Sequence, residues 1–548
     1  MKGAGARAIF SVLRDWGIEM VFTCPGSTEA AFLDASADAP EVRVVLVTHE
    51  SIAVAAADGY ARETGRPAVA YLHANVGLAN GIAHLSAAAL ASSPVVVLNG
   101  LKSTMIANRG GFTTAPYMRD YVRQHVRHAA ILTRADAVAE ELARALRAAT
   151  GEPAGPVYLG LPQDLVEADV TVDIPAAPAG DRAASRRPAR GAIDGAAALL
   201  SGARALTIVA GSEIARGGGL DAIAALAQRL GAAVTIEDRR TIEAVGFRTD
   251  HVQFCGPFSA DTDADVVFLA GTRSPMEFEP PRVPALPPAA RVVHLSADAA
   301  EIGKVHRVDV PLAGDVRETL AELLQALPAD DAHAVAGRRA FCARSRAAYR
   351  NATDAARERA RDAFENVPIV PPALMQALTG ILPPDATIVG DPVTSGGYLL
   401  DLLLTDCARR YHTTASGSLG WGMGAAVGVA LARPNERVYA IVGDGVFQFG
   451  VQALATAAAL DLDITFIIVD NASYAAVRAA LKRYRDGAAG GPFPASDIGG
   501  PDVAAIARGF GVDAVRVTHL RDLAAALAPE RGPALVAVRT DPAHTGPP

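Results

Sequence analysis

Three groups of residues in this chain have side chains suited to chemistry. The first lies near the C-terminal end: Gly443-Asp444-Gly445 follows the apolar run RVYAIVG, and Asp470-Asn471 ends a second apolar run, ITFIIVD. A carboxylate and an amide oxygen are hard ligands that suit Mg²⁺ or Ca²⁺, and Mg²⁺ sites use one or two carboxylates together with substrate phosphates. Gly443 and Gly445 let the backbone turn sharply and come close to a ligand. A helix beginning near Phe447 would aim its N-terminus at an anion there. Gly-Asp-Gly alone is more often a plain turn; the asparagine at a second strand end, 27 residues after Asp444, gives it weight. The second group is Glu50 in THESIAVAAADGYAR, just past an apolar run and at the start of an Ala-rich helical pattern. An acid there complements the helix dipole, and it is also a general acid–base group. The third is Ser27 in VFTCPGSTEAAFLDA with His73 at the end of PAVAYLH. A histidine at a strand end is commonly structural, but imidazole is also the side chain best suited to relay protons near neutral pH.

These residues need a scaffold, and the patterning supplies one. RVYAIVG and ITFIIVD flank the helical stretch FQFGVQALATAAAL. Such a β-α-β unit crosses over right-handedly and makes its strands parallel. Asp444 and Asn471 then leave the sheet at the same carboxyl edge, where open α/β proteins bind ligands. Other solid-apolar runs, VRVVLV, SPVVVLNG and GPVYLGLP, alternate with helical patterns up to about residue 170. Strands of this kind belong to parallel sheets covered on both faces. The linker TVDIPAAPAGDRAASRRPARGA follows, and then ALTIVAG, AAVTIED, DVVFLAG and RVVHLSA up to about residue 330. A charged stretch, GRRAFCARSRAAYRNATDAARERARDAF, reads as a solvated connecting helix, and a last set, with ATIVG and PALVAVRT, runs from 366 to 548. The expected fold is α/β, with three doubly wound parallel-sheet domains at 1–175, 190–330 and 366–548.

Bulk properties narrow the function classes. The net charge is −8 at pH 7 and no Lys/Arg-rich surface pattern stands out, so neither nucleic acid nor a membrane surface is an expected partner. The four cysteines are far apart in sequence, which points to a reducing compartment rather than a disulfide framework. The first residues contain Arg7, Arg14 and Asp15 and no signal-peptide core, and no run approaches 18 apolar residues, so a cytoplasmic location is expected.

The Gly443-Asp444-Gly445 to Asn471 pattern resembles the thiamine-diphosphate motif, with Asp470 in place of its first asparagine. Together with VFTCPGSTEAAFLDA, THESIAVAAADGYAR, HANVGLANGI and TASGSLGWGMGAAVG, it makes nearly the whole chain resemble the pyruvate oxidase/acetolactate synthase/benzoylformate decarboxylase superfamily. The resemblance implies thiamine diphosphate and Mg²⁺ as cofactors and pyrimidine-binding, central and diphosphate-binding domains in that order. It implies metal ligands at Asp444, Asn471 and the main-chain carbonyl of Ser473. Thr394 and Ser395 would lie near the diphosphate, the Gly417 carbonyl would hold the 4′-amino group, and Leu419 would prop the bent cofactor. Glu50 would drive the aminopyrimidine to its imino form. The cofactor would lie between two subunits, which implies at least a homodimer and commonly a homotetramer.

Within the superfamily the resemblance is strongest to benzoylformate decarboxylase-like members, with Ser27 and His73 at active-site serine and histidine positions. Those members add a second histidine from the central domain; AGTRSPMEFEPPRV has none and places Met276 there. Ala476, Val477 and Ala480 would line a roomy substrate wall. The implied reaction is non-oxidative decarboxylation of a 2-oxo acid, with carboligation to an aldehyde or ketoacid acceptor. An acetolactate synthase-like carboligase is the alternative. ALTIVAGSEIARGGG has no Gly-rich fingerprint that would call for FAD. A nucleotide-dependent oxidoreductase lacks its G-x-G-x-x-G signature, and a non-catalytic thiamine diphosphate-binding protein has no need of Glu50.

Overall fold

A computed structural model describes residues 4–177, 186–237, 243–273, 285–329, 331–485, 492–528 and 531–546. Met276 lies outside the described residues. Three six-stranded sheets organise the chain, and every strand pair in them is parallel. The first holds β1 (Met20–Cys24), β2 (Arg43–Leu46), β3 (Ala68–His73), β4 (Val95–Leu101), β5 (His128–Ile131) and β6 (Val157–Pro162), in the order β2-β1-β3-β4-β6-β5. The central sheet holds β7 (Leu206–Ala210), β8 (Ala233–Ile236), β9 (Phe254–Pro257), β10 (Val266–Ala270), β11 (Arg291–Ser296) and β12 (Val310–Ala313), in the order β12-β11-β10-β7-β8-β9. The third holds β13 (Thr387–Asp391), β14 (Arg410–Thr413), β15 (Val438–Gly443), β16 (Ile464–Asp470), β17 (Asp513–Val517) and β18 (Ala534–Arg539), in the order β14-β13-β15-β16-β18-β17.

The first and third sheets share one layout. In each the chain steps outward to the second strand and then crosses to the other side of the first. Each sheet therefore reverses direction between its first and third strands, at β1/β3 and β13/β15, and the crevice at such a reversal is the ligand site of doubly wound folds. The central sheet reverses between β7 and β10. Its crevice is filled by the chain itself: a Cβ on Gly211 would overlap the Gly271 carbonyl, and one on Gly246 the Gly211 carbonyl.

Six helices matter for the site: α1 (Glu50–Thr64), α2 (Ala74–Leu90), α3 (Ala332–Asp362), α4 (Trp421–Ala432), α5 (Asp444–Gly450) and α6 (Ala475–Tyr484). α1 and α4 join the first and third units along a seam of small residues. A Cβ on Gly428 would overlap the Ala56 carbonyl, and one on Gly59 would meet Ala425 at 2.5 Å. Trp421 donates its Nε1–H to Asp58 at 2.7 Å, and the buried Arg62 guanidinium sits 4.8 Å from the Trp421 ring centre. Arg62 also donates to the carbonyls of Thr413 and Glu243, both at 2.8 Å, so one side chain ties all three units together.

Two expectations need correcting. α3 is a connecting helix, but it is not solvated all round. Val335, Phe341, Cys342 and Tyr349 are buried, and buried Arg338 donates to the carbonyls of Leu230, Ser201 and Ala203. The long arginine stem covers apolar surface while its head finds carbonyls. The helix expected near Phe447 begins at Asp444 itself. No described helix is long and apolar enough to cross a membrane.

Candidate active site

At the first sheet's reversal point, Cys24 pairs with Leu72, so the turn after β1 meets the end of β3. His73 ends β3, and its ring packs so closely on Gly26 that a Cβ there would overlap it. Buried Glu29 reaches over Gly100 and accepts hydrogen bonds from the Gly26 N–H at 2.6 Å and the Thr28 hydroxyl at 2.5 Å. His73 Nδ1 lies 3.0 Å from Glu29 Oε2, 3.3 Å from Oε1 and 3.0 Å from Thr28 Oγ1. A carboxylate oxygen accepts, so this geometry assigns the Nδ1 proton to a bond with Glu29 and leaves Nε2 as the unprotonated nitrogen. The imidazole side chain is 19 % exposed. Ser27 stands exposed at the start of the same turn.

The backbone after His73 is unusual. Ala74 has φ of 51°, a left-handed conformation that costs an alanine energy. Asn99, fully buried on β4, donates to the carbonyls of Leu72 and Ala74, both at 2.9 Å, and its own oxygen accepts from Tyr158 at 3.0 Å. Glu50 opens α1 behind its N-cap, His49, whose side chain accepts from the Ser51 N–H. Asn80 of α2 donates to Glu50 Oε2 at 3.0 Å, and a Cβ on Gly77 would meet Oε1 at 2.8 Å.

The third sheet builds a different site where the chain leaves β15, one of its two reversal strands, and the neighbouring β16. Gly443 pairs with Val469, so Asp444 and Asp470 end adjacent strands side by side. Asp444 is buried, and its oxygens accept from the N–H groups of Gly445 at 2.9 Å and Ala472 at 2.6 Å. Burial, and then the neighbouring Asp470 charge, push its carboxyl up to about 6. Asp470 instead pairs with Arg539 at 2.9 Å. Among the described residues no cationic side chain pairs with Asp444. Asn471 is buried beside it, with Oδ1 accepting from the Ser473 N–H at 2.9 Å, and the Ser473 hydroxyl is buried without a partner. A buried unneutralised carboxylate, an amide oxygen with a lone pair to spare and an orphaned hydroxyl fit a hard divalent cation. Tyr474 lies on Gly445, where a Cβ would meet its ring at 2.7 Å.

Around this cluster, Ser395 is buried and opens a short 3-10 turn capped by Thr394. Gly417 is exposed with φ of 67°, and Leu419 is half-buried. Ala476, Val477 and Ala480 are exposed on α6. Asp391 is a buried carboxyl at the end of β13 that accepts from the Gly422 N–H at 3.1 Å, and burial raises it to about 7. It braces the glycine-rich entry to α4. Four supporting residues, Glu29, Asn80, Asn99 and Asp391, escaped the sequence reading. Glu29 and Asn80 stood inside stretches singled out for the resemblance, Asp391 follows the strand run ATIVG, and Asn99 had no local signal.

Comparison with known proteins bears on this geometry. Residues 3–120 match the thiamine pyrophosphate enzyme N-terminal TPP binding domain, 193–323 the central domain and 396–538 the C-terminal TPP binding domain. The Mycobacterium tuberculosis protein IlvX, which carries the name of an acetolactate synthase large subunit, is 30% identical over 97% of this chain and 98% of its own. The chain belongs to the thiamine pyrophosphate enzyme family. Benzoylformate decarboxylase of Pseudomonas aeruginosa is 29% identical, with 95% of each chain covered. The thiamine diphosphate-dependent 4-hydroxybenzoylformate decarboxylase of Rhodococcus jostii RHA1 superposes with a TM-score of 0.83 at 25% identity, over 98% of this chain and 99% of the other. As in the family, the two TPP binding domains flank the central one, and the two sites described above lie one in each of them.

Proposed function

We propose that the chain is a thiamine diphosphate- and Mg²⁺-dependent enzyme that decarboxylates a 2-oxo acid non-oxidatively, in the manner of benzoylformate decarboxylase. The observation that carries this reading is the Glu29-held imidazole of His73 at the reversal point of the first sheet. When bound, thiamine diphosphate supplies an electron sink for the bond between the carbonyl carbon and the carboxylate. Asp444, Asn471 and the Ser473 carbonyl would hold the metal, with Thr394 and Ser395 near the diphosphate. The Gly417 carbonyl and Leu419 would set the bend of the cofactor. Glu50, steadied by Asn80, would exchange a proton with the pyrimidine ring. His73 Nε2 would move a proton at the substrate, with Ser27 beside it on the substrate carboxylate.

Residues 1–175, 190–330 and 366–548 would serve as pyrimidine-binding, central and diphosphate-binding domains of a cytoplasmic homodimer or homotetramer. Large apolar side chains stand exposed close to the site residues: Leu46, Val76, Val393 and Phe449. A second copy placed over these faces would cover them and bring a Glu50 to a metal site. Turnover of pyruvate and of benzoylformate, followed by CO₂ release with and without an acceptor aldehyde, tests the reading. Loss of CO₂ from neither 2-oxo acid class, with cofactor bound, would refute it.

A second reading, an acetolactate synthase-like carboligase, is favoured by the row of small side chains on α6. Ala476, Val477 and Ala480 leave room for a second carbonyl compound, and the sequence has Met276 where the resemblance would put a second histidine. Product analysis separates the two: ligated product at high acceptor concentration supports the second, free aldehyde the first.

A further inference from the structure

The turn from Gly417 to Gly420 has little regular structure to hold it. Gly417 and Gly420 adopt φ of 67° and 88°, so Ser418 and Leu419 sit between two left-handed glycines, a soft arrangement unless something pins it. Gly420 is pressed against Phe449, where a Cβ would meet its backbone at 2.8 Å, but this leaves Ser418 and Leu419 to be fixed from elsewhere. The Ser418 hydroxyl lies 2.8 Å from Nδ1 of His84. His84 belongs to α2, in the first unit, and is 2% exposed.

We propose that His84 is a positioning residue for this turn, fixing Leu419 and the Gly417 carbonyl through the hydroxyl of Ser418. The inference rests on the reading of the turn as the segment that bends the cofactor. Asn80 and His84 are four residues apart and lie one turn apart on the same face of α2. Asn80 holds Glu50 and His84 holds Ser418, so one 17-residue helix sets the positions of both the acid and the bending turn. Burial, reinforced by nearby His49, pushes His84 down to about 4, so the ring is neutral around pH 7 and keeps one nitrogen as an acceptor for the Ser418 hydroxyl. A neutral buried ring would hold the turn without adding a positive charge to the site.

The test uses the full-length protein with thiamine diphosphate and Mg²⁺. Cofactor affinity is read from quenching of tryptophan fluorescence, and deuterium exchange at the thiazolium C2 is followed by quenched-flow NMR. Ser418→Ala should slow exchange about tenfold, as expected for the loss of one hydrogen bond, while the cofactor Kd changes less than threefold. Ser418→Thr, which keeps the hydroxyl, should restore exchange to within about twofold of wild type, and His84→Phe should match Ser418→Ala. Exchange in Ser418→Ala within twofold of wild type overturns the inference, whatever its melting temperature, and leaves His84 a packing residue. If the wild type itself binds no cofactor, or exchanges C2 no faster than free cofactor, the reading of the turn fails first and this inference falls with it.

Discussion

At the residue scale the decisive contacts are short and specific. Asp444 is buried beside Asp470 with no cationic partner among the described residues. Asp444→Ala should therefore abolish retention of both metal and cofactor, and excess Mg²⁺ should not restore it; equilibrium dialysis reads this directly. Glu50→Gln keeps the hydrogen bond to Asn80 within reach but loses the charge. It should bind cofactor normally and turn over on the order of a hundredfold more slowly, with C2 exchange slowed in parallel. Unchanged exchange would leave Glu50 as a helix-start acid only. His73→Ala should lower kcat by roughly 10²–10⁴-fold with cofactor affinity intact. Glu29→Gln should reproduce much of that loss, because it frees the ring that Glu29 now orients. If the two act as a unit, the double variant will be no worse than His73→Ala. Additive losses would separate Glu29 from the histidine.

At the element scale the α1/α4 pair is the joint that holds the first unit on the third. Its glycines permit backbone approach that no larger residue allows, so Gly428→Val, which would drive a side chain into the Ala56 carbonyl, should lower the melting temperature by several degrees or prevent folding. One contribution to acid stability lies at the end of α1. Glu63 receives 2.6 Å bonds from His412 and Arg433. Burial alone would raise its carboxyl, but the His412 bond and charge, followed by those of Arg433, hold it down at about 2 against an ordinary 4.5. The unfolded chain then binds more protons between these values, so the contribution is complete above pH 4.5 and lost as pH falls towards 2. Denaturant melts across this window should show a smaller loss in Glu63→Gln than in wild type. Equal slopes would place the acid sensitivity elsewhere.

At the scale of the whole molecule the question is whether one chain makes a complete site. Glu50 follows β2 of the first sheet and Asp444 follows β15 of the third, and exposed apolar side chains lie close to both. Mixing the inactive Glu50→Gln and Asp444→Ala proteins tests this. If a site takes its glutamate from one chain and its metal ligands from another, random pairing restores about a quarter of the sites in a two-fold dimer. A site contained within one chain would regain nothing. Light scattering on the same samples reads the number of chains.

The sequence alone determined the interior strands and the residues at their ends. Runs such as ITFIIVD are buried on both faces, and burial demands apolar side chains at every position, so these strands announce themselves. Five of the six edge strands, β5, β9, β12, β14 and β17, went unseen: they are short, and with a neighbour on one side only they need not be apolar throughout, whereas the sixth, β2, shows itself through the apolar run VRVVLV. β1 was also missed; five residues of MVFTC between polar flanks are too few to show a period. Asp444, Asn471, Glu50 and His73 were legible because each ends a strand or opens a helix, and the chain's direction fixes which edge that is. What holds them was not legible. Asn99 reaches Ala74 because β4 lies beside β3, and His84 reaches Ser418 across 334 residues of chain. Contacts of that kind depend on which strands become neighbours and on how α1 seats against α4. Packing of distant segments decides both, and no local pattern encodes it.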